Sequence, residues 1–283
     1  MNLTSVKAVK QILSEYRAKL SRGLGQNFLV DSRAVQKLLA AAQVEKEDTV
    51  LEIGPGIGTL TRELAQLAKH VVAVEKDSKM VEILQETLKE FSNVEIVHED
   101  ALKTNFQFSS LNFQPNPNVS ISKTYKIVAN LPYYITAPVI RKFLEAERKP
   151  QQMTLIVQKE VAQRICSKPP NMSILAVSVR VYAAPKIISY IKKNSFWPQP
   201  MVDAAILQII PFPTPYALDF HRFFRVVKAG FKQPRKQLVN NLSKELNLPR
   251  QKVEQWLLQS NIQPTRRAET LAVQDWINLA HRI

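Results

Sequence analysis

The chain has 283 residues, 45% of them apolar, enough to enclose a sizeable core in one large domain or in a large and a small one. Thirty-nine Lys and Arg against 24 Asp and Glu leave a formal charge of +15, which points to a polyanionic partner more readily than to a small neutral one, with a solvated basic surface as the plain alternative. The single cysteine, Cys166, excludes an internal disulfide and suits a reducing compartment, while His70, His98, His221 and His281 are too dispersed for ligand spacing, so no metal is expected.

At the start, Lys7, Lys10, Glu15, Arg17 and Lys19 interrupt short apolar pieces, a pattern of neither a signal-peptide core nor a spanning helix. A soluble cytoplasmic chain is therefore expected, with residues 1–23 as a basic extension. Asp31 or Ser32 can cap a helix whose apolar positions Val35, Leu38, Leu39 and Ala42 share one face, so one helix precedes the first strand. From Thr49, apolar runs alternate with helical periods: Val50–Ile53, then Leu60, Leu64 and Leu67; Val71–Val74, then Val81, Leu84 and Leu88; then Val94–Val97. This is the βαβαβ pattern of an open parallel sheet.

Between Leu102 and Tyr125 the composition turns to Asn, Ser, Gln and Pro and reads as a surface loop. Further strands are expected at Lys126–Ala129, Met153–Val157, around Ile187–Ile191 and at Ala204–Ile210, the last two pairing antiparallel. After Pro211-Phe-Pro-Thr-Pro215 all patterning is helical: Phe220–Phe231, a segment through Leu238, Leu242 and Leu246, then Val253, Trp256 and Leu257, and finally Val273, Trp276, Ile277 and Ala280, with Pro249 opening one helix in its first turn. The expected fold class is α/β, a Rossmann-like sheet over 24–213 followed by a small all-helical domain over 214–283.

The run Leu51-Glu-Ile-Gly-Pro-Gly-Ile-Gly-Thr59 leaves the first strand and opens a helix, where Gly54 and Gly56 let the backbone approach a ligand. Glu75 ends the next strand, about 20 residues on, where an acid can take both hydroxyls of a ribose. A dinucleotide would suit this much. However, the spacing is G-x-G-x-G, Thr59 stands where the dinucleotide fingerprint has its third glycine, and Pro55 removes an N–H; S-adenosylmethionine, which has no phosphate, fits better. Asp100, past the third strand, can accept a hydrogen bond from that cofactor's adenine amine, although a lone acid there would ordinarily be a cap or loop carboxylate.

Asn130-Leu-Pro-Tyr133 follows the fourth strand at the carboxyl edge. A nitrogen on an aromatic ring is a poor nucleophile because its lone pair is delocalised. The Asn130 side-chain oxygen and the Leu131 carbonyl can accept its two hydrogens and aim the lone pair at a methyl-bearing sulfonium, without a strong base. Tyr133 offers a stacking face, worth ~1–3 kcal/mol per base. A proline turn beside a core tyrosine is the ordinary reading of such a motif taken alone.

Together with Leu24-Gly-Gln-Asn-Phe-Leu29, Glu52-Ile-Gly-Pro-Gly56, Val74-Glu75, Asp100-Ala101, Asn130-Leu-Pro-Tyr-Tyr134 and Phe196-Trp-Pro-Gln-Pro200, the chain resembles the ribosomal RNA adenine N6,N6-dimethyltransferases associated with kasugamycin sensitivity. The resemblance runs from about Leu24 to the C-terminus. It implies a class I S-adenosylmethionine-dependent methyltransferase in which Asn27, Leu29, Gly54, Glu75, Asp100 and Asn130 bind the cofactor and Phe196 packs on the target adenine opposite Tyr133. It also implies the substrate: two adjacent adenines, each dimethylated, in a hairpin loop near the 3′ end of small-subunit rRNA, within an immature subunit. A hairpin loop lowers the energy of extruding the base. The chain is expected to act as a monomer, away from membranes.

His221 to Lys236 holds Arg222, Arg225, Lys228, Lys232, Arg235 and Lys236 without an acid, at spacings near three and four and interleaved with Phe223, Phe224, Val227 and Phe231, so one face is basic, able to contact RNA phosphates, and the other packs. A solvated helix face is the alternative. Family members carry a Phe-x-x-Arg-Arg-Lys stretch here, whereas this chain has Pro234 in place of the first arginine, and its Leu102–Tyr125 excursion is longer than the family pattern. Two rival readings share the scaffold: a resistance-type dimethylase of large-subunit RNA, and a non-catalytic RNA-binding or transcription-accessory protein. Leu131, the Phe196–Pro200 segment and the helical tail favour the small subunit, and Gly54, Glu75 and Asn130 favour catalysis.

Overall fold

The computed structural model describes residues 3–20, 25–104, 106, 124–213 and 218–282. In chain order the elements are α1 Val6–Glu15, β1 Phe28–Leu29, α2 Ser32–Ala42, β2 Thr49–Ile53, α3 Thr59–Leu67, β3 His70–Glu75, α4 Ser78–Thr87, β4 Val94–His98 and β5 Lys126–Asn130. They continue with α5 Thr136–Leu144, β6 Gln152–Gln158, α6 Lys159–Cys166, α7 Ile174–Arg180, β7 Ala183–Ile191, β8 Phe196–Trp197, β9 Ala204–Pro211, α8 Phe220–Gly230, α9 Leu238–Leu246, α10 Arg250–Gln259 and α11 Val273–Arg282. Leu24, nearly all of the Leu102–Tyr125 excursion, and residues 214–217 at the expected domain boundary lie outside the described residues.

The chain divides into two compact units, Met1–Ala162 with Lys186–Pro211, and Gln163–Pro185 with Phe212–Ile283. The first is built on a seven-stranded sheet of order β4-β3-β2-β5-β6-β9-β7. Strands β2 to β6 run parallel, and β9 pairs antiparallel with β6. The inner strands are buried on both faces, which is why Val50, Leu51, Val71, Val72 and Ala73 are all at 0% exposure and read as continuous apolar runs. On one face, α2 and α3 share a cluster with Val50, Val71, Val128 and Ile156. Asp31 caps α2 by accepting from the N–H groups of Arg33 and Ala34, as expected.

One feature of this unit differs from the sequence reading. The first residues do not form a mere extension: Ser5 caps α1, and its Val9, Ile12 and Leu13 are buried in a cluster with Phe28, Ile57, Met80 and Ile83. Positions 9, 12 and 13 have helical spacing, but five interspersed charges obscure a stripe only three residues long. Two helices, not one, therefore precede the first long strand.

In the second unit α8 to α11 form a helical cluster, joined by α7. Phe231 stacks on Trp276 at 5.4 Å, and Tyr182 on Phe220 at 4.6 Å. Gly230 ends α8 beneath the Trp276 ring, where an added Cβ would collide with it. Residues 163–185 thus go with the helices although the linear boundary would leave them with the sheet. Pro249 occupies the N-cap position of α10 rather than its first turn, and its carbonyl accepts from Val253 N–H at 3.2 Å.

Candidate active site

Strand order reverses between β2 and β5, and the crevice beyond their carboxyl ends is where an open α/β sheet leaves room for a ligand. A cleft of about 1300 Å³, its open mouth included, lies there. Its walls include Asn27, Leu29, Gly54, Gly56, Glu75, Asp100, Asn130, Leu131, Tyr133 and Phe196, so every cofactor and catalytic candidate of the sheet unit comes to one place.

The glycine loop after β2 has φ of +69° at Gly54, +60° at Gly56 and +87° at Gly58. A Cβ at Gly56 would meet the Phe28 ring at 3.0 Å. The loop's N–H groups are committed internally: Gly54 donates to Val74 O, Gly58 to Pro55 O and Gly56 to Glu75 Oε2, and Pro55 has none. A pyrophosphate would find few donors here.

The acids around the cleft favour a cation further. Glu75 accepts from the N–H groups of Lys76, Asp77 and Gly56; burial raises its pKa against those three bonds. Glu99 also lines the wall. Burial opposes ionisation of Asp100, but the Leu102 N–H and the Lys76 ammonium, 3.0 Å away, outweigh it and hold the carboxyl below its ordinary range. Glu52 is 1% exposed with Oε2 unpartnered; burial foremost, and the Glu75 charge, push it up to about 8, against the Thr61 hydroxyl. A ligand with a sulfonium and an ammonium group, a ribose for Glu75 and no phosphate fits these residues, so S-adenosylmethionine passes where a dinucleotide does not.

Asn130 ends β5 and is half-buried. Its side-chain Nδ2 donates to the Asn27 carbonyl at 2.9 Å, which leaves Oδ1 as the acceptor of a residue that lines the cleft. Leu131 is buried, its N–H donating to Ile156 O. The Pro132 ring lies 3.6 Å from where a Gly54 Cβ would stand, which joins the Asn-Leu-Pro-Tyr turn to the glycine loop. Tyr133 is half-buried; burial, and less so Asp203, raise its pKa and keep the phenol neutral.

The short pair β1 and β8 brings Leu29 opposite Phe196 and Phe28 opposite Trp197, tied further by Val30 N–H to Ser195 O at 2.8 Å and Ser195 Oγ to Asp31 Oδ2 at 2.8 Å. Phe196 is only 3% exposed, packed among Leu29, Ile191 and Ile206, so it forms a wall of the cleft rather than an open stacking face.

Among cleft residues without a role in the sequence reading, Glu52 had a signal, an acid inside an apolar strand, and Gln26, whose Nε2 donates to Asp77 Oδ2 at 2.7 Å, stood inside the quoted Gly-Gln-Asn-Phe motif; Lys76, the partner of Asp100, had none, because it acts on a distant segment.

The basic stretch of the second unit is not one helix face. Helix α8 stops at Gly230, so Arg222, Arg225 and Lys228 lie on the helix and Lys232, Arg235 and Lys236 on the turn after it; all six are exposed. Buried Asn241 fixes that turn, its Nδ2 donating to Gly230 O at 2.7 Å and Gln233 O at 3.0 Å.

A family model described as ribosomal RNA adenine dimethylase matches residues 17–283. A protein of Dehalococcoides mccartyi named ribosomal RNA small subunit methyltransferase A is 40% identical over 272 residues, 95% of this chain and 90% of that one. One of the same name from Clostridium botulinum is 39% identical over 275 residues, 96% of each. Among solved structures, the 23S rRNA methyltransferase ErmE has a TM-score of 0.69 at 25% identity, covering 90% of this chain and 98% of its own. A dimethyladenosine transferase from Plasmodium falciparum shares the fold with a TM-score of 0.70 at 24% identity, covering 88% of this chain and 94% of its own.

Proposed function

Because the chain belongs to the ribosomal RNA adenine dimethylase family, we propose that it methylates adenine N6 in small-subunit rRNA, placing two methyl groups on each of two adjacent adenines in a hairpin loop near the 3′ end. S-adenosylmethionine, the cofactor of such enzymes, supplies an electrophilic methyl group on a sulfonium.

The observation that carries this reading is the Asn130 amide, tied through Nδ2 to Asn27 with its oxygen left for an amine, in a cleft lined by carboxylates. Asn130 Oδ1 and the Leu131 carbonyl accept the two amine hydrogens and turn the N6 lone pair out of conjugation. Tyr133 holds the flipped ring by its face and Phe196 bounds it, replacing stacking lost on extrusion. As the N–C bond formed, the methyl–sulfur bond would break and leave a neutral thioether, and the nitrogen, then positively charged and acidic, would give its proton to water, so no side chain has to act as a strong base. For the second transfer, Asn130 holds the one remaining hydrogen. Gly54, Gly56 and Leu29 would line the cofactor's path, Asn27 would hold it beside Asn130, Glu75 would take its ribose hydroxyls and Asp100 its adenine amine.

In the second unit, Arg222, Arg225, Lys228, Lys232, Arg235 and Lys236 contact RNA phosphates and position the substrate without reading its sequence. The substrate is an immature small subunit in the cytoplasm, met by a monomer. Among the described residues no helix is long and apolar enough to cross a membrane. The likeness to ErmE keeps the large-subunit reading as the rival; the roughly 40% identical relatives are named for the small subunit. Purified protein with labelled cofactor should modify immature small subunits and leave large-subunit RNA unlabelled. The reverse preference would transfer the assignment to the rival, and RNA binding without label transfer would favour an accessory protein.

A further inference from the structure

The carboxyl edge of the sheet continues past the cleft. Ile156 of β6 is in register with Asn130, and β6 ends at Gln158, so Lys159 lies one strand beyond Asn130 at the same edge. Gln158 is in register with Ala204 at the start of β9, and the adjacent Asp203 ties the strand ends together: Lys159 N–H donates to its carbonyl at 2.9 Å and Lys193 N–H to its Oδ1 at 3.0 Å. The end of β7 is thereby fixed about 15 Å from Asn130, three strand spacings away.

At that end, Tyr190 is 52% exposed on an edge strand, and Lys159 Nζ stands 5.4 Å from its ring centroid. Lys192, Lys193 and, two strand positions before Ile188, Lys186 are exposed beside it. The acids here are Asp203, whose Oδ1 already accepts from the Lys193 N–H, and exposed Glu160. Edge-strand lysines ordinarily discourage sheet pairing, and Lys186 alone would serve for that. An exposed aromatic ring under a cation, flanked by two further lysines where the strand turns toward Phe196, is instead the composition that holds unpaired nucleotides: rings stack on bases and ammonium groups follow phosphates.

We propose that Tyr190, with Lys159, Lys192 and Lys193, forms a second RNA subsite that seats an unpaired nucleotide flanking the target adenine, beside the catalytic cleft. This rests on the reading of the chain as an rRNA methyltransferase and names the part of the sheet unit that grips the strand outside the reacting base. Adjacent nucleotides of a hairpin loop are unpaired together, so extruding one leaves a neighbour in need of a stacking partner.

The test uses the full chain, titrated with a fluorophore-labelled single-stranded oligoribonucleotide and with immature small subunits, while methyl transfer and S-adenosylmethionine binding are followed separately. Tyr190→Ala should weaken binding of both RNAs about 5- to 100-fold and raise KM, with kcat and cofactor affinity kept; Tyr190→Phe, which retains the ring, should restore binding. Lys192→Ala with Lys193→Ala should lower the slope of log affinity against log salt by about 1.4, two contacts at roughly 0.7 each for a single strand. Unchanged RNA affinity in Tyr190→Ala would overturn the subsite, as would a dimer that this variant dissolves while RNA binding stays intact, since the edge would then serve a second copy. A wild-type chain that methylates subunits while these variants behave normally loses only this inference; one that neither binds nor methylates them loses the functional reading as well.

Discussion

The Asn130 side-chain nitrogen donates to the Asn27 carbonyl oxygen over 2.9 Å, joining two motifs 103 positions apart. In the proposed reaction, the bond decides which end of the amide is left for the substrate amine. Asn130→Asp would set a carboxylate oxygen against that carbonyl, and the side chain would swing away. Both Asn130→Asp and Asn130→Ala should lower single-turnover methyl transfer by about 10²-fold or more while largely sparing RNA and cofactor affinity. Near-normal turnover in either variant would refute the alignment role.

Glu52 provides a pH signature. Its ordinary pKa of 4.5 is raised to about 8 in the fold, mainly by burial. Between those values the unfolded chain releases this proton and the folded chain keeps it, so stability falls as pH rises from about 4.5 to about 8. Glu75, also raised by burial, acts in the same direction. Glu52→Gln is neutral throughout and should gain in Tm relative to the wild type as pH increases across that window. Parallel Tm curves would mean that Glu52 is ionised in the fold.

At Gly56, φ of +60° and the Phe28 ring 3.0 Å from an added Cβ act together. Gly56→Ala should lose about 1–3 kcal/mol of stability from the left-handed backbone and the shifted ring, and should weaken cofactor binding. Denaturant unfolding and isothermal titration measure the two effects; wild-type values in both would remove the close-approach argument.

Reversing charge at Arg235 and Lys236 should weaken RNA binding and flatten its salt dependence, since each phosphate contact contributes about 0.7–0.9 to the slope. An unchanged slope would return both residues to a solvated surface.

Asn241→Ala leaves the Gly230 and Gln233 carbonyls without their donor at a position 4% exposed. A loss of about 1–3 kcal/mol is expected, read by chemical unfolding. A stability change within a few tenths would mean that water replaces the amide.

Much of the site was legible before the fold was. Glycines at 54, 56 and 58 mark a turn in the left-handed region, and Glu75 and Asn130 close strands whose apolar runs end at those positions, so local pattern alone set them at the carboxyl edge. Helix α1 was missed because its buried stripe is short and crossed by charges. The helical pattern over Phe220–Phe231 matches α8, Phe220–Gly230, to within one residue; that Lys232, Arg235 and Lys236 leave the helix face was not legible, because the basic spacing runs on past Gly230 while the helix stops where Trp276 covers a residue without a side chain.

By itself the amino-acid order determined the parallel α/β scaffold, the phosphate-free cofactor and the place of the Asn-Leu-Pro-Tyr turn at the carboxyl edge, because strand period, glycine conformation and side-chain chemistry are local properties. The tertiary structure alone decided that β1 lies against β8, that Asn27 orients Asn130, that Phe196 is a wall and that burial raises the pKa of Glu52. Those follow from which distant segments pack together and exclude water, and neither spacing nor composition carries that information.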